Sequence, residues 1–246
     1  MSSEDEWVEG SHVHEDDELM ESLEDKEFRN ALRDALKDMR DKIDIYVFID
    51  SKDANCIYCK PTEKLMKIIE IESSKAGSPL ARVHVFDKAK SKDQEFFKSF
   101  NVERVPTVAF LQGQIRWTGS PIGQELRALV ETIIRLSSND SMVDSNLANK
   151  LYEGLKGEVV IETVVTPTCP VCPYAALEAN MFAFEMYKRG KANILSNIIE
   201  AQENPDIADK YSVMYVPTVA INGVVEFVGV PPEEGLVEAI LKHQKA

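Results

Sequence analysis

Thr166-Pro167-Thr168-Cys169-Pro170-Val171-Cys172-Pro173-Tyr174 is the stretch on which the reading turns. The run before it, Val159 to Val165, is apolar and β-branched, as in a buried strand. The run after it, Tyr174 to Lys188, reads as a helix. Proline lacks an N–H and breaks a helix interior but suits a first turn, so Pro170 and Pro173 place both cysteines where strand gives way to helix. Forty-eight positions after Cys169 stands the proline of Val216-Pro217-Thr218-Val219-Ala220. The same landmarks occur earlier in the chain. Cys56-Ile57-Tyr58-Cys59 is followed, 50 positions after Cys56, by the proline of Val105-Pro106-Thr107-Val108-Ala109. Phe100-Asn101-Val102 matches Tyr211-Ser212-Val213, Gly113 answers Gly223, and Gly119 answers Gly229. The chain contains one unit twice.

Each copy carries the same order of elements. In the first these are a strand over Ile45–Asp50, a helix after Cys56, a strand over Arg82–Asp87 and a helix over Asp93–Phe100. A hairpin of Thr107–Leu111 with Ile115–Thr118 follows, and then an amphipathic helix over Gln124–Leu136. The second runs strand Val159–Val165, helix Tyr174–Lys188, strand Ala192–Ile199, helix Ile207–Tyr211, hairpin Thr218–Val228 and helix Glu233–His243. A helical segment precedes each copy, Leu19–Arg40 and Val143–Leu155, and the polar run Ser137–Ser141 marks the boundary. This is the order of the thioredoxin fold. The expectation is an α/β protein of two tandem thioredoxin-fold domains, residues 19–138 and 139–246, with mixed central sheets flanked by helices. Residues 1–18 form an acidic arm expected to be disordered.

The 246 residues, 44% hydrophobic and 28% charged, suffice for two cores of ordinary size. A net charge of -14 argues against a nucleic-acid partner, because phosphate binding draws on Lys and Arg. No apolar run approaches the roughly 18–20 residues that cross a bilayer, and the acidic start lacks the features of a secretory leader. A cytoplasmic chain without membrane contact is expected. No Gly-rich phosphate loop or flavin fingerprint is present, so no bound cofactor is expected and reducing equivalents must come from a partner.

All 4 cysteines belong to the two C-x-x-C pairs, leaving none for a structural bridge. The thiolate is the nucleophile in disulfide exchange, and an ordinary cysteine, with pKa about 8.5, is mostly protonated at neutral pH. A helix N-terminus offers unpaired N–H groups and the positive end of the macrodipole, which favour the anion. A spacing of three lets the second sulfur resolve a mixed disulfide formed by the first. Cys56 and Cys169 are therefore expected to be exposed attacking thiols, with Cys59 and Cys172 one turn in as buried resolving thiols. The Val-Pro steps are expected to be cis and to face the cysteines, so that Val105, Pro106, Val216 and Pro217 offer backbone to an extended substrate.

The chain resembles the protein disulfide oxidoreductases of hyperthermophilic archaea and bacteria, which are similar to glutaredoxin and protein disulfide isomerase. The resemblance covers residues 19 to 246 and rests on the two C-x-x-C pairs and the two Val-Pro-Thr steps. It implies reduction, oxidation or isomerisation of disulfides in protein substrates, and a thioredoxin-reductase-like flavoenzyme as electron donor. The chain departs from plain thioredoxin in having Asn55 and Thr168 before the first cysteines, and from glutaredoxin in having Val171 where Tyr is usual. A buried acid beneath the resolving cysteine is a further family feature, with Asp50 and Glu162 as candidates by position.

Three rival readings exist. Structural zinc draws cysteine pairs together across about 15–20 residues, whereas these begin 113 positions apart, so no metal site is expected. A non-catalytic binding module would have no reason to keep both cysteines in both pairs. Relay of electrons to a peroxiredoxin keeps the same chemistry. His12, His14, His84 and His243 read as solvated or packing residues, Trp117 as hairpin packing, and Met181 and Met186 as helix packing.

Overall fold

The computed structural model describes residues 20–245, so the acidic arm, with Trp7, His12 and His14, lies outside the described residues. The elements in chain order are α1 (Lys26–Leu36), β1 (Ile43–Ile49), α2 (Cys59–Glu72), β2 (Ser74–Lys75), β3 (Ser78–Pro79), β4 (Ala81–Asp87), α3 (Gln94–Ser99), β5 (Thr107–Phe110), β6 (Ile115–Thr118) and α4 (Glu125–Ser138). The second copy supplies α5 (Ser145–Gly154), β7 (Val159–Val165), α6 (Cys172–Lys188), β8 (Ile194–Glu200), α7 (Pro205–Lys210), β9 (Thr218–Ile221), β10 (Val224–Val228) and α8 (Glu233–His243).

Alternation along β1 shows how these residues build layers. Ile45, Val47 and Ile49 join a core shared with Leu65, Met66 and Ile69 of α2. Phe48 faces the other way, into an aromatic cluster with Phe86, Phe97 and Phe100. A strand buried on both faces reads as a continuous apolar run, which is how it appears in the sequence. β7 repeats this: Ile161 and Val165 face the core shared with α6, and Val164 packs with Tyr211 and Ala220.

The two copies do not keep separate sheets. One sheet of eight strands runs β10-β9-β7-β8-β6-β5-β1-β4, with β6 and β8 parallel at the join, Ile115 opposite Ser196 and Thr118 opposite Ile199. Each of these would otherwise be a bare edge, with unpaired backbone groups open to aggregation. Strand order alone could not reveal the join, because it is made between different positions of the repeat. Helices α4 and α6 cover it on one face, where Asn180, fully buried, donates to Thr132 and accepts from Ser196.

Two local expectations are corrected. The leading helix is not continuous from Leu19 to Arg40: residues 20–24 are helical, and Asp25 then caps α1 by accepting from the backbone of Glu27 and Phe28. The β2–β3 hairpin was not expected; its turn, Ala76-Gly77, has φ of 49° and 78°, the left-handed pair that closes a two-residue hairpin.

Candidate active site

β1 delivers the chain to the first cysteine loop. Cys56 and Cys59 are joined as a disulfide with Cα atoms 5.4 Å apart, Cys56 half-buried and Cys59 2% exposed. The loop between strand and helix is tied down by Asp87, which ends β4. Its buried carboxylate accepts from the Ser51 backbone at 3.1 Å and the Ser51 hydroxyl at 2.7 Å. Burial alone would raise the Asp87 pKa, but the Ser51, Ala89 and Lys90 donors outweigh it and hold the pKa down to about 2. The sequence reading missed Asp87, which lies 28 positions beyond Cys59 and is brought to the loop by β1–β4 pairing.

The second loop follows β7. Cys169 and Cys172 form a disulfide with Cα atoms 5.5 Å apart, and the Cys172 backbone N–H donates to Cys169 Sγ at 3.1 Å. Cys169 Sγ also lies 3.8 Å from the carbonyl oxygen of Val216. Cys169 was expected to be exposed but is only 7% exposed, because it forms the floor of a groove; Cys172 is fully buried. Both second cysteines are the first residue of their helices rather than one turn in.

Both Val-Pro bonds are cis. Val105 and Val216 are partly buried against the same core as Cys56 and Cys169. The threonine after each proline has a role that the sequence reading did not assign. Thr107 Oγ1 donates to Arg104 O at 2.8 Å and Thr218 Oγ1 to Tyr215 O at 2.7 Å, an identical clasp across each step.

The two proposed acids behave differently from each other. The Asp50 backbone N–H reaches Cys59 Sγ at 3.4 Å, while its carboxylate accepts from Lys52 N. Glu162 is on the wrong face of β7: it bonds the Tyr211 hydroxyl and lies 3.9 Å from Lys210 Nζ. Thr163, next along the strand, is the residue buried on the face shared with Ile161 and Val165.

An acidic group that sequence reasoning missed sits in the joint between the copies. Glu125 opens α4 and is 1% exposed; its Oε2 accepts from Trp117 Nε1 at 3.4 Å and its Oε1 has no partner. Glu200, 4% exposed, accepts from Glu203 N, and Glu203 accepts from Ser120 N at 2.6 Å. Ser120 also receives a hydrogen bond from Thr62, in the helix that carries Cys59. Burial raises the pKa of Glu125 to about 7; the Trp117 hydrogen bond opposes this and Glu200 adds to it. Burial likewise raises Glu203 to about 7 against the Ser120 hydrogen bond, and raises Glu200. Only the folded arrangement brings these three together, so no spacing signalled them.

His84 lies 2.8 Å from Asp44, His243 pairs with Glu226, and Met181, Met186 and Trp117 are buried. Among the described residues no group of three or more His, Cys, Asp or Glu is arranged to hold a metal ion, and no helix is long and apolar enough to cross a membrane.

Two thioredoxin folds fused through one sheet, each closing a four-residue disulfide loop beside a cis-proline step, define a thiol–disulfide oxidoreductase. The Thioredoxin domain family matches residues 160–242. A thioredoxin of Methanocaldococcus jannaschii is 44% identical over 86 residues, 35% of this chain and 96% of the relative. The crystal structure of a protein disulfide oxidoreductase from Aeropyrum pernix superposes with a TM-score of 0.84 at 48% identity, covering 88% of this chain and 92% of that one. The N-terminal domain of the alkylhydroperoxide reductase AhpF from Enterococcus faecalis shares the fold, with a TM-score of 0.74 at 18% identity over 88% of this chain and 99% of that one. The chain belongs to the protein disulfide oxidoreductase family.

Proposed function

We propose that exchange with protein disulfides runs through both pairs, with Cys56 and Cys169 attacking and Cys59 and Cys172 resolving. A Cys169 thiolate attacks one sulfur of a substrate disulfide; a new S–S bond forms, the substrate bond breaks, and the departing thiolate takes a proton. Cys172, once deprotonated, attacks Cys169 Sγ, closes the internal disulfide and releases the substrate as a dithiol. The reverse sequence oxidises a substrate dithiol. The observation that carries this reading is the N–H of Cys172 aimed at Cys169 Sγ from the front of a 17-residue helix, an arrangement that stabilises a sulfur anion there. Val216 and Val105 present backbone beside the two sulfur pairs, with Pro217 and Pro106 completing each step. The two repeats, 19–138 and 139–246, are proposed to act as separate redox domains on one scaffold. A thioredoxin-reductase-like flavoenzyme is proposed as the electron donor, and a peroxiredoxin as one acceptor.

The test uses Cys172→Ser and Cys169→Ser, each in a Cys56→Ser/Cys59→Ser background, challenged with a protein disulfide and read on a non-reducing gel. Cys172→Ser is expected to trap a mixed disulfide and Cys169→Ser to form none. The opposite pattern reverses the roles.

A further inference from the structure

Because the chain carries its redox unit twice, each copy is a control for the other. The three residues before each cis proline occupy the same place beside the cysteines: Glu103-Arg104-Val105 in the first copy and Met214-Tyr215-Val216 in the second. Their backbones are clasped identically, by Thr107 to Arg104 O and by Thr218 to Tyr215 O. Their side chains have opposite character. Arg104 is turned away and fastened to the other copy: Nη1 donates to Asp206 at 2.8 Å and to Asn204 at 3.3 Å, and Nη2 to Asp206 at 2.5 Å. Met214 and Tyr215 bear no such tether and stand 82% and 74% exposed, the most exposed large apolar side chains among the described residues.

These two side chains line a groove of about 550 Å³ together with Cys169, 7% exposed, and Val171, 45% exposed. We infer that this groove, through Met214 and Tyr215, selects disulfides flanked by apolar residues in non-native, extended protein chains, and that the first copy does not share this preference. The inference rests on Cys169 being the attacking thiol of its pair. A chain whose sulfur reaches Cys169 must lie in this groove, because the sulfur is otherwise enclosed. The Val216 carbonyl, 3.8 Å from that sulfur, offers a backbone acceptor of the kind an extended strand pairs with. Strand pairing leaves alternate side chains pointing into the groove, where apolar ones meet methionine and tyrosine instead of water. A folded protein keeps such side chains inside its own core, and only a non-native chain presents them next to an accessible disulfide. At the first copy the corresponding positions offer, in place of methionine and tyrosine, a carboxylate and an arginine already committed to Asp206.

The experiment compares the protein with only the second pair active (Cys56→Ser/Cys59→Ser) against that with only the first active (Cys169→Ser/Cys172→Ser). Each is assayed with two synthetic peptide disulfides, one flanked by Leu and Phe and one by Ser and Glu. The second pair is expected to favour the apolar peptide by about tenfold or more in kcat/KM, mostly through KM; the first is expected to show no such preference. Met214→Glu/Tyr215→Arg, which installs the first copy's residues, is expected to bring the ratio close to one, and Met214→Ser/Tyr215→Ser to lower it in the same direction. Both positions are exposed, so the fold does not depend on them. Equal handling of the two peptides by the second pair, or a ratio unmoved by either double substitution, overturns the inference. Exchange that survives Cys169→Ser in the Cys56→Ser/Cys59→Ser background would instead overturn the assignment of the attacking thiol.

Discussion

Replacing Glu125 with Gln should make the protein less sensitive to rising pH. The side chain is 1% exposed, with one oxygen facing Trp117 at 3.4 Å and the other without a partner. Burial raises its pKa from 4.5 in the unfolded chain to about 7 in the folded one. Below pH 4.5 both states hold the proton and the group leaves stability unchanged. Between 4.5 and 7 only the unfolded chain releases it, so stability falls as pH rises; above 7 the loss is complete. A shift from 4.5 to about 7 corresponds to roughly 3 kcal/mol at 1.36 kcal/mol per pH unit.

Gln keeps the shape and accepts from Trp117 but never ionises. In guanidinium unfolding of the oxidised protein, followed by fluorescence, the native chain should lose roughly 3 kcal/mol more between pH 4.5 and pH 8 than Glu125→Gln. That is a difference in midpoint on the order of 0.5–1 M. Glu200 and Glu203 titrate in both proteins, so the comparison isolates Glu125 together with its coupling to Glu200. Identical pH dependence in the two proteins would refute the reasoning. It would mean that the positive front of α4, where Glu125 sits, stabilises the carboxylate as much as burial penalises it.

Two further substitutions test how the loops are held. Asp87→Asn should destabilise the protein by about 1–2 kcal/mol at pH 7, since the amide accepts less strongly from Ser51. Because the native carboxyl is held down to about 2 against 3.8 unfolded, that advantage should persist above pH 4 and vanish as pH falls towards 2, which urea midpoints across that range would show. Gly123→Ala should cost roughly 1–3 kcal/mol or more, because φ is +61° and the new Cβ would stand 2.4 Å from the Pro167 carbonyl oxygen. A thermal midpoint within a degree of the native one would show that the 123–167 contact yields freely.

What could be read from sequence was whatever repeats locally. The C-x-x-C spacing, the Val-Pro-Thr step and the apolar runs of β1 and β7 each depend on a few neighbouring residues, and each stands where the spacing put it. Glu162 shows where that kind of reading stops. A count of residues back from Cys169 cannot separate Glu162 from Thr163, yet the pleat sends them to opposite faces, and only the pairing of β7 with β8 and β9 decides which. Asp87, Glu125 and the β6–β8 join were hidden for a related reason. Each depends on contacts between residues distant in the chain, and the join breaks the symmetry of the repeat that made the rest legible.

That broken symmetry also explains how two equivalent sites can differ. A two-fold join would have given both copies the same neighbours. Pairing β6 of the first copy with β8 of the second instead leaves β4 and β10 as the outer edges and gives each copy a different flank. The Arg104 loop comes to lie against α7 of the second copy, whose Asp206 captures it, while the Tyr215 loop has no third copy to lie against and stays open. The asymmetry of the sites is thus a consequence of how the sheets were joined.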